Sequence, residues 1–326
     1  MRPLFQAELV NGDTGDPALF VDFLFMNRAI LIDLGDLSLL SPKKILRLHA
    51  VFVSHTHMDH FVGFDRLLRI FLGREKKLAL FGPPGFISQV TAKLSAYTWN
   101  LVENYSANLL LMVNELHPDG KCEKASFESR RKFIPDLLGS SMIHDGLLVE
   151  ETFYRIRFAF LDHAIPCLAF CIEEKSHANV WKNRLEELGL STGPWLRKFR
   201  EAVLRHEPDD TPIFAGEREM KLGELWSVVR IVPGQKISYV TDAAYSEANI
   251  ERIVALADCS DSLFIEAMFL HEDGKHAAEK HHLTAWQAGQ LGRLARAKAI
   301  VPFHFSPRYA GKELLLRREA QAAFSP

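Results

Sequence analysis

Over its first third the chain alternates short apolar runs with single polar residues. LFVDFLF (19 to 25) and AILIDLG (29 to 35), joined by Met26-Asn27-Arg28, predict a β-hairpin, and AVFVS (50 to 54) predicts a buried strand. The apolar spacing turns helical over FVGFDRLLRIFLG (61 to 73); KLALF then predicts a strand, Gly82-Pro83-Pro84-Gly85 a hard turn, and residues 86 to 96 a helix. Residues 115 to 150 show no clear period and carry Pro135, Gly139 and Gly146, so loops or an insertion are expected there. FYRIRFAF (153 to 160) restores the strand signal. From Lys175 to about Gly234 the chain is charged and amphipathic, with two helices broken at Gly193-Pro194, which predicts an excursion from the core. The last third predicts strands at 236 to 240, 262 to 270 and 297 to 303, with helices near 247 to 257 and 284 to 296. Strands and helices in this order point to an α/β sandwich of layered sheets.

Composition narrows the class without changing that picture. The 326 residues, 48% of them hydrophobic, can bury a sizeable core in one large domain or two small ones. The N-terminus lacks the apolar core of a signal peptide, and no apolar run approaches the roughly 18 residues of a membrane helix, so a soluble, cytoplasmic protein with no membrane partner is expected. Four cysteines without a CxxC pair fit reduced thiols and exclude a zinc-finger pattern. A formal charge of −2 is not the global footprint of a nucleic-acid binder, so any polyanion contact must be local. Arg130-Arg131-Lys132 and Arg197-Lys198 with Arg200 are the two basic patches; a solvated face is the better reading of the first.

The densest chemistry is His55-Thr56-His57-Met58-Asp59-His60, placed where the strand at 50 to 54 ends. Imidazole nitrogens and carboxylate oxygens are ligands that zinc accepts, and four of them in six residues can serve two neighbouring ions, with a water between them ionised near neutral pH. Later strands also end in polar residues: Asp242 after ISYVT, Glu266 within SLFIEAMFL, and His304 after IVPF, while His163 follows IRFAFLD. A ligand set follows. One ion takes His55, His57 and His163, the other takes Asp59, His60 and His304, and Asp242 lies between, because its two oxygens can each face one metal.

Taken together these motifs resemble the metallo-β-lactamase superfamily and, more narrowly, the ribonuclease Z family, over about residues 30 to 310. SHTHMDH is similar to the superfamily's HxHxDH loop, LFGPPG to a glycine-proline turn, and LDHAIP to a third-motif histidine. FIEAMF, HHLTAWQA and HFSPRY resemble three consecutive family motifs, in order, and HFSPRY is the most diagnostic. The N-terminal strand with a glycine-threonine turn is not recognisable in MRPLFQAELVNGDTG, and Met58 and Ala169 stand where glycine is common in the family.

The resemblance implies an αββα four-layer sandwich, a single hydrolase domain over residues 1 to 326 with an insertion at 115 to 150 and a tRNA-gripping arm at 176 to 234. It also implies two Zn2+ per chain, with Mn2+ as the alternative, a homodimer, and removal of the 3′ trailer of precursor tRNA. Asp59 would also take the proton of the attacking water. His282 is the general-acid candidate, with His281 its adjacent competitor, and Glu266 would orient it. Ser306 and Arg308 are carried over as phosphate contacts, and ELGLSTGPWLRKFR, with Arg197 and Lys198, resembles the arm. The alternative is a hydrolase of the same fold acting on a small phosphodiester, cyclic nucleotide or aryl sulfate; a non-catalytic RNA-binding protein is the rival from another class.

Overall fold

The computed structural model describes residues 4 to 24 and 26 to 325, so Phe25 of the expected hairpin lies outside the described residues. Strands β1 (Phe5–Leu9), β2 (Leu19–Phe23), β3 (Arg28–Ile32), β4 (Leu48–Phe52), β5 (Lys76–Gly82), β6 (Leu109–Leu116), β7 (Lys121–Glu128) and β8 (Pro135–Met142) form one sheet in chain order. β3 through β6 are parallel and their flanks antiparallel. Helices α1 (Pro42–Ile45), α2 (Met58–Phe61), α3 (Phe64–Phe71) and α4 (Phe86–Ser95) lie in the crossovers. Leu67 and Phe71 of α3 and Phe86 and Val90 of α4 join Leu31, Val51 and Leu80 in one buried cluster, which covers one face of the sheet. Alternate residues face the other way: Phe52 stacks on Phe81 at 4.8 Å and meets Phe170 of the second sheet at 5.5 Å.

The chain continues through β9 (Leu147–Glu150), β10 (Tyr154–Asp162) and β11 (Pro166–Glu174). Thr152–Tyr154 and Glu173–Gln235 gather into a compact unit of their own. Within it, β12 (His177–Val180), α5 (Lys182–Glu187), α6 (Trp195–Leu204), β13 (Pro212–Ala215), β14 (Arg218–Lys221) and β15 (Val229–Val232) pack around Leu185, Phe199, Val203, Leu222 and Leu225. After it come β16 (Lys236–Val240), α7 (Glu247–Ala257), β17 (Ser262–Glu266), α8 (Gly274–Glu279), α9 (Ala285–Leu294), β18 (Ile300–Phe303) and α10 (Glu313–Phe324). The second sheet runs β18-β17-β16-β11-β10-β9, with β16, β17 and β18 parallel. Ile253 of α7, Leu291 of α9 and Leu316 of α10 bury against Val240, Leu263 and Ile265 on its outer face. Helices outside two facing sheets make the αββα sandwich.

Three local expectations are corrected. Phe5–Leu9 is a strand although no glycine-threonine turn marks it: it pairs antiparallel with β2 while exposing alternate residues. Residues 115 to 150 hold the end of β6 and all of β7, β8 and β9 instead of loops; β8 is exposed along its whole length, so burial imposes no apolar alternation on it. The run 262 to 270 is a strand only to Glu266, after which Met268 turns to accept the Ser306 N–H at 3.1 Å.

Parallel strands bring their C-terminal ends to one rim, and the ligand loops gather there. The turn after β4 is pinned to the one after β3: Leu34 donates to His60 O at 2.9 Å and Gly63 donates to Leu34 O at 2.8 Å. A Cβ on Gly63 would lie 2.1 Å from Gly35 O and 2.8 Å from Leu37 Cγ, so only glycine fits. Gly63→Ala is therefore expected to destabilise the fold by about 1 to 3 kcal/mol and to weaken metal binding by shifting His60. Denaturant unfolding with metal analysis checks both, and an unchanged unfolding midpoint would contradict the packing argument.

Candidate metal centre

Each expected ligand arrives from a strand end. His55 follows β4, and His57 immediately precedes α2, whose single turn carries Asp59 and His60. His163 follows β10, Asp242 follows β16, Glu266 closes β17 and His304 follows β18. Ligand atoms of His55, His57, His163 and Asp242 all lie within 4.8 Å of one another, as do those of Asp59, His60 and His304.

Asp242 sits between the two groups. Its Oδ2 is 3.4 Å from His163 Nε2 and 3.6 Å from His55 Nε2, whereas Oδ1 is 2.9 Å from His304 Nδ1 and 3.5 Å from His60 Nε2. Asp59 Oδ2 stands 3.2 Å from His304 Nε2 and 3.6 Å from His60 Nε2. Among the described residues His55 Nε2 and His60 Nε2 are buried without a hydrogen-bond partner. Buried polar atoms are costly to leave unpaired, so inward ring nitrogens around a buried carboxylate fit divalent cations.

The outward nitrogens are held. His60 Nδ1 donates to Asp33 Oδ2 at 3.0 Å, and His163 Nδ1 donates to the His281 carbonyl at 2.8 Å. His55 Nδ1 lies 3.1 Å from Ser54 Oγ. Fixing the outer nitrogen fixes the tautomer and ring, which prepares the inner one as a ligand. Asp33, which lies within the run AILIDLG, is the main residue missed. Fully buried, it also accepts from Ser54 N at 2.7 Å, Ser54 Oγ at 2.9 Å and Tyr239 Oη at 2.8 Å, and its φ of 61° aims it inward.

Electrostatics follows from burial and charge. Burial, followed by the neighbouring His60, pushes the His55 imidazole down to about 2, which leaves it neutral with a free lone pair. Burial also opposes charge on His60 and His304, yet the carboxylates outweigh it: Asp242 and Asp33 hold His60 well above the ordinary histidine value, and Asp242 and Asp59 hold His304 at about 9. Burial opposes charge on Asp59 too, but the hydrogen bond from His304 and the charge of His60 bring it down to about 2. Cations entering this site must displace the protons on His60 and His304.

Beside these groups, His282 Nδ1 donates to Glu266 Oε2 at 2.8 Å. Glu266 is fully buried, and its Oε1 accepts from Ala243 N at 2.7 Å and Leu283 N at 3.3 Å. The His282 ring is 4.8 Å from that of His163 and 5.9 Å from that of His304, whereas His281 approaches through its carbonyl. Burial lowers the His282 pKa, but the Glu266 carboxylate, aided by Asp242, raises it further, so the net shift is upward. Ser306 and Arg308 follow His304; the Arg308 guanidinium lies over the Phe269 ring, 5.8 Å from its centroid, and 3.7 Å from Asp273 Oδ1. Arg197 and Lys198 belong to α6 of the second unit, where Arg197 pairs with Glu201 at 3.2 Å.

One buried asparagine ties two ligand loops together. Asn249 Nδ2 donates to Asp162 O at 2.9 Å and Ala244 O at 2.8 Å, and its Oδ1 accepts from Asp162 N at 2.9 Å. Asn249→Ala removes all three bonds and is expected to cost about 10- to 100-fold in metal affinity, measured by competition with a chelator. Unaltered affinity would show that the loops around His163 and Asp242 hold themselves.

No protein-family model matches the chain. The ribonuclease Z of Deinococcus radiodurans is 30% identical over 336 aligned residues, which cover 98% of this chain and 96% of that relative. The ribonuclease Z of Methanothermobacter thermautotrophicus is 26% identical over 86% of this chain and 76% of its own. Among solved structures, the short form of human tRNase Z superposes with a TM-score of 0.56 at 19% identity, over 94% of this chain and 92% of that one. A metallo-β-lactamase-fold protein from Bacillus subtilis gives 0.55 at 15%, over 97% and 92%. These superpositions establish the metallo-β-lactamase fold, and the Deinococcus match, nearly end to end in both chains, establishes more: the chain belongs to the ribonuclease Z family.

Proposed function

We propose that this chain is a dinuclear metal-dependent endoribonuclease that removes the 3′ trailer of precursor tRNA. The observation that carries the reading is Asp242, whose two oxygens face two separate histidine groups, in a chain of the ribonuclease Z family. His55, His57 and His163 would hold one cation and Asp59, His60 and His304 the other, with Asp242 shared; zinc suits this donor set and manganese is the alternative. When bound, such a pair lowers the pKa of an attacking water and offsets the charge that builds on the phosphate. Asp59 stands beside the second group to take the water's proton. His282, oriented by Glu266, donates a proton to the departing oxygen. Arg308 and Ser306 hold the phosphate, and Arg197 and Lys198 grip the body of the tRNA. Family resemblance further supports a cytoplasmic homodimer, which sedimentation velocity tests; among the described residues no helix is long and apolar enough to cross a membrane.

Deletion of residues 180 to 205 separates this reading from a small-molecule hydrolase. The deletion is expected to abolish precursor cleavage and spare hydrolysis of bis(p-nitrophenyl) phosphate. If precursor cleavage survives the deletion, the arm does not bind the tRNA; if the full-length protein hydrolyses the small diester and leaves the precursor intact, a small phosphodiester becomes the better substrate.

A further inference from the structure

Next to the metal centre the first unit carries a cleft of about 670 Å³ that no step above uses. Its floor is the edge of β10. β9 pairs with β10 only at Arg155 to Arg157, and the Phe158 N–H goes to Gly146 O, so among the described residues no strand pairs with β10 on that side beyond Phe158. Phe158 and Phe160, two apart and therefore on one face, line the cleft with their rings 5.8 Å apart, edge to face. Arg252 of α7 enters from the side and donates to Phe160 O at 3.1 Å. His117, in the turn between β6 and β7, lines the cleft as well. One loop joins the cleft to the centre, since Asp162 and Ala164 line it and the ligand His163 lies between them.

Such a cleft suits an unpaired nucleotide. Aromatic rings offer stacking to any base, a guanidinium fixed by its own hydrogen bond meets a phosphate, and the volume falls within the range of small-ligand sites. An added peptide strand is disfavoured, because the Phe160 carbonyl that it would use is already taken by Arg252. We infer that the cleft binds the first unpaired nucleotides of the trailer, a base against Phe158 and Phe160 and a phosphate against Arg252. The inference rests on the precursor-tRNA reading and adds a positioning subsite to it.

The test combines precursors that carry one abasic residue at each of the first three trailer positions with the wild type, Phe160→Ala and Arg252→Ala. At one position the abasic residue is expected to raise KM about tenfold in the wild type and hardly at all in Phe160→Ala, whose KM for the intact precursor is already raised by a similar factor. Equal abasic effects in both proteins at every position would overturn the subsite. A readout without cleavage is the affinity of His57→Ala protein for a short single-stranded oligoribonucleotide, which adding Phe160→Ala is expected to weaken about tenfold; unchanged affinity overturns the subsite. Weakened binding together with wild-type protein that leaves every precursor intact would keep the cleft and sink the tRNA reading; the opposite pattern would do the reverse. Arg252→Ala, at an exposed helical position, serves if the Phe160 variant does not fold.

Discussion

Asp242→Ala is expected to empty the centre and to reduce cleavage by about 10³-fold or more, at the upper end of what loss of one charge-stabilising group costs. The expectation follows from geometry. Each Asp242 oxygen faces a different histidine pair, at 3.4 and 3.6 Å on one side and 2.9 and 3.5 Å on the other, so the substitution removes a donor from both metal positions at once. Removing His57 takes a donor from one position only. Asp242 is also the nearest carboxylate to the buried His304, at 2.9 Å, and shares His60 with Asp33. Asp242→Asn keeps the shape and isolates the charge. Elemental analysis of both variants beside His57→Ala decides: two tightly held ions in Asp242→Ala would show that the carboxylate is not shared.

His282→Ala is expected to behave in the opposite way, with both metals retained and cleavage slowed by about 10²- to 10⁴-fold. His282 bonds to Glu266, and Glu266 is held by two backbone N–H groups, so truncating His282 leaves Glu266 anchored and removes none of the seven expected donors. Two further readouts separate a proton donor from a merely structural group. A p-nitrophenolate leaving group needs no proton, so the loss on bis(p-nitrophenyl) phosphate should be much smaller than on RNA. The pH profile supplies the other. A general acid works while protonated, so activity is lost as pH rises through its pKa, and Glu266 is what raises that pKa against burial. Glu266→Gln should therefore move the alkaline limb to lower pH, narrowing the active range from above. A limb that stays in place would assign the titration to another group.

The cluster was legible because residues able to hold a metal stand at conspicuous places in the sequence. His163, Asp242 and His304 each follow an apolar run, and a parallel sheet delivers such positions to one rim. Asp33 occupies the same kind of position after β3, yet it escaped because its role is to hold His60 and Ser54 rather than a metal, and one aspartate at a strand end carries no mark of that. Asn249 was invisible for a related reason: its three bonds go to backbone groups of loops 87 and 5 residues away in sequence. Among the strands between 115 and 150, β8 was missed because it has no buried face, and patterning reports burial rather than strand geometry. In β17 the error ran the other way, as Phe269 and Leu270 are buried but lie beyond the end of the strand.

The decisive experiment incubates the purified protein and a His57→Ala control with a precursor tRNA bearing a 3′ trailer, in zinc or manganese, and maps the new ends. One metal-dependent cut beside the discriminator base, absent from the control, is expected. Intact precursor, from protein that holds two metals and hydrolyses bis(p-nitrophenyl) phosphate, would contradict it and leave a metallophosphodiesterase with a different substrate.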